Sequence, residues 1–152
     1  MISQKLLHVV TVHAEDIANR WMKDVQSNLD TIAFKNVPHD KLREAALDVY
    51  GDIARWIKDP LADKSWVEHH YTKRGADQHK MGFRLGEAVK AWILIKHHLW
   101  NFLKEEGLFN SATDLYQALE LLQDLGNFFD LMIHYMVLGY EREASVEVWK
   151  RP

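Results

Sequence analysis

The segment between Gly82 and Gly107 constrains this chain most. It contains no proline, and Leu85, Val89, Trp92, Ile95, Leu99 and Leu103 recur in it at three- and four-residue spacings. That period is the signature of an α-helix with a buried face. The apolar residues do not stop at one stripe. Trp92, Ile93, Ile95, Leu99, Trp100 and Phe102 spread over more than half the helix circumference. A helix so broadly apolar must be covered from several sides. It belongs at the centre of a helical assembly, or between two copies of one.

The rest of the chain follows the same rule. Its three prolines and seven glycines fall mainly between periodic segments, the punctuation of an all-α protein. A first helix is predicted from about Ser3 to Leu29, with Leu7, Val10, Ala14, Ile17, Trp21, Val25 and Leu29 on one face. A second begins at Val37-Pro38, where proline suits a first helical turn, and stops near Asp59-Pro60. Its stripe is Leu42, Ala45, Ala46, Val49, Ile53 and Ile57. The third, about Leu61 to Met81, is polar apart from Trp66, Val67, Tyr71 and Ala76, and carries Gly75 inside it. Such a thin stripe predicts weak packing. The fourth runs from Arg84 to Gly107. The fifth starts after Asn110-Ser111 and continues to about Glu143. The fold class expected is therefore an all-α bundle of about five helices. Its last two long helices form an antiparallel hairpin.

At 152 residues one domain is expected. The boundaries read as 1–143 for the domain and 144–152 for a tail or the start of a linker to an output domain. The net charge of −3 gives no basic footprint for nucleic acid. The absence of cysteine excludes disulfides and thiolate metal sites. The N-terminal stretch is broken by His8, His13, Glu15 and Asp16 and does not read as a signal peptide. No run of about 18 uncharged apolar residues exists, so membrane insertion is not expected. A cytoplasmic location is the expectation.

No nucleophile motif, phosphate loop or metal-ligand motif stands out, and the chain reads as a non-enzyme. His-Glu-x-x-His and Glu-x-x-His are both absent. Adjacent residues on a helix point about 100° apart, so His69-His70 and His97-His98 cannot chelate as pairs. Asp130 and His134 lie one turn apart on the polar side of the fifth helix. His79 is different: it stands three residues before Gly82, ahead of a long apolar helix. Histidine also favours helix C-termini for electrostatic reasons. Phe83, Trp92, Trp100, Phe128 and Phe129 supply rings that could wall a flat cofactor or simply form a core. No cofactor is the expectation, with haem on His79 as the alternative. On the polar third helix, His70, Tyr71 and Arg74 are candidates to line a ligand, against the plainer reading of a solvated face.

The wide apolar arc of the fourth helix points to a homodimer, since monomers expose few large apolar patches. The interface expected is Trp92, Ile95, Lys96, Leu99, Trp100, Phe129, Ile133 and Met136. Lys96 lies in the middle of that arc, where a lysine must snorkel, pair or change its pKa.

These residues resemble the RsbR/RsbRD N-terminal domain family. The resemblance spans roughly Leu6 to Arg142. It rests on the helix order, on Trp21, and on Gly82-Phe-Arg-Leu85 leading into Val89-Lys-Ala-Trp-Ile-Leu-Ile-Lys96. Gln78 stands where the family often has arginine. The resemblance implies a dimeric, non-catalytic sensory input domain of bacterial signalling, of the kind found in stressosomes or ahead of histidine kinases. It also implies a possible globin-like fold and, as partners, signalling proteins or a fused output domain. In haem-bearing relatives the ligand histidine precedes the glycine by four residues; His79 precedes Gly82 by three.

Overall fold

A computed structural model describes residues 2–107 and 111–150. They form six α-helices and one 3₁₀ helix, with no strand among the described residues. The helices are α1 (Ile2–Val12), α2 (Ala14–Ser27), α3 (His39–Lys58), α4 (Ser65–Lys80), α5 (Leu85–Glu105) and α6 (Ala112–Lys150). The 3₁₀ helix, Leu29–Asn36, lies between α2 and α3.

The expected first helix is two. It breaks at His13, whose φ and ψ of −104° and 11° leave helical geometry although His13 N–H still reaches Val9 and Ile17 N–H reaches His13. The predicted face holds at Val10, Ile17, Trp21 and Val25, which are buried; Leu6 is buried in place of the half-buried Leu7, and Leu29, already in the 3₁₀ helix, is exposed. Asn28 then closes the run. Its side chain accepts from Asp30 N–H, and Thr31 Oγ1 donates back to Val25 O, which seats the 3₁₀ turn.

Other boundaries follow local chemistry. Pro38 stands immediately before α3. Ser111 Oγ accepts from Asp114 N–H at 3.0 Å, the start signal expected of α6; Asn110, in the same expected signal, lies outside the described residues. At the end of α4, Gly82 takes φ 85°, Phe83 N–H bonds Gln78 O and Gly82 N–H bonds His79 O. That pair of bonds, around a left-handed glycine, is a Schellman ending. It turns the chain so that Phe83 stacks on Phe34 with centroids 4.5 Å apart.

α5 sits centrally, as its wide arc requires. α2 and the 3₁₀ helix cover one side of it and α6 covers another. Trp21 crosses from α2, stacks on Trp92 and donates from Nε1 to Ala91 O at 2.8 Å. The predicted α5–α6 hairpin is not the main contact of α6. That contact is with α4, the helix expected to pack weakly. The reason is Gly75 and Gly139. A methyl group built on Gly75 would lie 1.9 Å from Met136 O, and one on Gly139 would lie 1.9 Å from Thr72 O. The two backbones touch at this crossing, so dispersion between main chains replaces a broad apolar stripe. α6 then continues without interruption through the residues expected to be a tail, as far as Lys150.

Candidate functional site

α4 joins two regions with different chemistry. Toward α3 it presents a polar cluster. Tyr71, fully buried, donates its hydroxyl to Asp52 Oδ2 at 2.6 Å. His70 Nε2 lies 3.1 Å from the same oxygen, and Arg74 Nη2 lies 3.0 Å from Asp48 Oδ2. Burial pushes the Asp52 carboxyl above its usual range. The Tyr71 hydroxyl and the nearby His70 and Arg74 only partly offset this. Burial, and then Asp52 itself, holds the Tyr71 hydroxyl well above its ordinary value. The three residues expected to line a ligand are thus together. Two of them, His70 and Tyr71, are spent on Asp52; Arg74 alone lines a cleft, formed with α3 and α5.

On its other side α4 meets α6 at the glycine crossing. Above it, Tyr140 donates its hydroxyl to Phe83 O, tying α6 to the turn after α4. His79 packs edge-on against Tyr140, and its Nε2 lies 3.3 Å from Glu147 Oε2. His69 and Lys73, with Arg142 and Val146, border a groove along this side.

That placement bears on the haem alternative. The His79 nitrogen that would bind iron faces a carboxylate. The rings expected to wall the cofactor are packed on other protein rings: Phe83 on Phe34, Trp92 on Trp21, Trp100 on Phe129, and Phe128 among Trp56, Trp66 and Tyr71. As placed, these side chains do not fit a haem. No cluster of three or more metal-ligating side chains occurs among the described residues.

The residues expected at a dimer face divide into two groups. Trp92, Ile95, Leu99, Phe129 and Met136 are buried in the protomer's own core, because α5 is already wrapped by α2, the 3₁₀ helix and α6. Lys96, Trp100 and Ile133 remain half-buried at its edge. Lys96 makes no ion pair among the described residues, the behaviour of a snorkelling lysine. The apolar surface that is exposed lies elsewhere. Leu115, Tyr116 and Leu119 stand open on the first turns of α6, and Val148 and Trp149 near its end.

Two features escaped the sequence reading. One is the glycine crossing, signalled by a glycine inside each of two helices. The other is a set of buried polar atoms without partners on α3, α4 and α5, among them Arg74 Nη1, Gln78 Oε1 and Trp92 Nε1. No sequence pattern announces those.

The fold and this site define an all-α domain in which a polar helix is locked, backbone to backbone, onto a long continuous one. The chain belongs to the family of the RsbT co-antagonist protein rsbRD N-terminal domain, whose model matches residues 15–150. It is accordingly a regulatory domain of the stressosome-related kind. No curated protein and no solved structure matches it. No helix among the described residues is long and apolar enough to cross a membrane.

Proposed function

We propose that this chain is a non-catalytic input module of bacterial cytoplasmic signal transduction. In this reading it works as a homodimer and passes its signal along α6 to a partner protein or a fused output domain. The observation that carries the reading is the α4–α6 crossing. A polar helix with ligand-accessible side chains is fixed without clearance to a helix that runs on past the core, so a shift in one is a shift in the other. The dimer surface in this reading starts from the exposed Leu115 and Leu119 of α6 and continues over the half-buried Leu122 and Ile133, with the half-buried Trp100 and Lys96 of α5. Positions 115, 122 and 133 fall within about 20° of one another around a helix, so they form a single strip.

Sedimentation equilibrium tests the assembly. The wild-type chain should be dimeric at micromolar concentration, and Leu119→Glu should be monomeric with its helical content intact. A wild-type chain that stays monomeric at high micromolar concentration removes the dimer from the reading.

A further inference from the structure

We propose that the cleft between α3, α4 and α5 binds a small carboxylate that carries a neighbouring hydroxyl or amino group. The cleft measures ≈ 570 Å³, ample for a few-carbon acid. Its wall holds Arg74, Gln78 and Trp92, and each has a buried polar atom with no protein partner: Nη1, Oε1 and Nε1. Gln78 is only 5% exposed and Trp92 2%. Buried polar groups are nearly always satisfied, so three orphans on one wall mark a place where something else completes the bonding.

The chemistry of the three atoms selects the ligand. Arg74 Nη1 and Trp92 Nε1 are donors, one of them cationic, and a carboxylate accepts from both. Gln78 Oε1 is an acceptor and calls for a donor beside that carboxylate. Arg74 already gives Nη2 to Asp48 at 3.0 Å, so its charge is already paired and Nη1 is the donor left for a ligand. That favours a singly charged acid over a phosphate dianion. The lining also carries Lys41 and Lys73 with Glu44 and Asp77, two charges of each sign, which leaves no net charge to repel an anion.

Arg74 also lies over one wall of the cleft. Its guanidinium lies 5.1 Å from the centre of the Trp92 ring. In this arrangement the orphan atoms are shut from solvent. The arginine side chain swings on several single bonds, and in the proposed bound state it lifts from the indole and leaves the Trp92 and Gln78 atoms to the ligand. Gly75, the neighbour of Arg74, sits against α6, so a ligand that reseats Arg74 acts next to the crossing. That last step rests on the input-module reading; the binding site does not.

Calorimetric titration with L-lactate, propionate and inorganic phosphate tests the site. Lactate should saturate the wild-type chain and bind more tightly than propionate, which lacks the donor, or phosphate. Trp92→Phe keeps a ring but loses the N–H, and should weaken both acids roughly 10- to 100-fold. Gln78→Leu should weaken lactate to the level of propionate, which gives a second check should Trp92→Phe fold poorly. No saturating heat from any probe on the folded wild-type chain overturns the site and leaves internal water as the partner of these atoms. Equal binding of phosphate, or lactate binding untouched by both variants, also overturns it. Amide hydrogen exchange along α6 reads the coupling separately. Saturable lactate binding with unchanged exchange there upholds the site and rejects its regulatory use.

Discussion

α3 and α4 join the same core by different physics. α3 buries a continuous stripe, Leu42, Ala46, Val49, Tyr50, Ile53, Trp56 and Ile57. α4 buries the side chains of only Val67, Tyr71 and Gln78, together with the bare backbone of Gly75. α3 is held by apolar area removed from water, which tolerates small adjustments of side chains. α4 is held by a main-chain fit against α6 that has no slack, and by polar bonds to α3. A helix of the first kind is stable and uninformative to its neighbours. A helix of the second kind transmits small displacements because nothing compressible lies between it and its partner.

Substitutions can break this contrast. The largest effect is expected at the crossing. Gly139→Ala places a methyl group against Thr72 O and forces two backbones apart, at about 4 kcal/mol or complete loss of the native contact. Gly126→Ala lies on the same helix with nothing within 4 Å of the new atom, and should be neutral or stabilising by up to ~1 kcal/mol. Denaturant melts of the two give opposite signs if the fit is as tight as described; equal effects would remove the distinction. Next comes α3. Ile53→Ala empties a fully buried position and should cost roughly 2–4 kcal/mol, while leaving the protection of α6 amides at the crossing in the same order.

The polar side of α4 gives a smaller, pH-dependent effect. Asp52 holds its proton more tightly folded than unfolded, where an aspartate titrates near about 3.9. Between those two pKa values folding takes up a proton, so this group's contribution to stability falls as pH rises. Asp52→Asn removes the buried charge and still accepts the Tyr71 hydroxyl. Its stability relative to wild type should therefore improve from mildly acidic pH upward and level off above the folded pKa of Asp52. Melts across that range decide it, and a gap that widens instead toward low pH would contradict the assignment. The smallest effect is at Lys96 on α5. Lys96→Met should lie within about 0.5 kcal/mol of wild type by the same melts, since no carboxylate is stranded.

Much of the fold was legible because it follows local rules. The 3.6-residue stripe of α3, Pro38 before it, the glycine turn at Gly82 and the capping serine at Ser111 each act within a few residues of themselves. What was not legible depends on partners distant in sequence. Gly75 read as a weakness in a polar helix, and only Gly139, on another helix, turns it into a contact. The breadth of the α5 arc was visible, but not which neighbours consume it. Trp92, Ile95 and Leu99 therefore read as a surface between copies rather than as the protomer's core. His79 stood at a helix end as its dipole favours, yet its partner Glu147 comes from the last turns of α6, beyond the expected end of that helix. Of the candidate site, Arg74 was visible as a basic residue on a polar helix. The orphaned atoms beside it were not, because satisfaction of a buried group is a property of the packed molecule.

The continuity of α6 has a mechanical consequence. The residues from Gly139 to Lys150 extend roughly 16 Å beyond the crossing at the usual rise of about 1.5 Å per residue. Tyr140 and Glu147 tie this stretch to the end of α4, so the two helices tilt together, and the joined pair is a lever arm whose fulcrum is its contact with the rest of the core. A tilt of about 10° at the fulcrum carries its tip through roughly 3 Å, about the rise of two helical residues. A displacement too small to disturb the core on one side of the fulcrum is thus geared up on the other, where Trp149, 87% exposed, rides at the moving end.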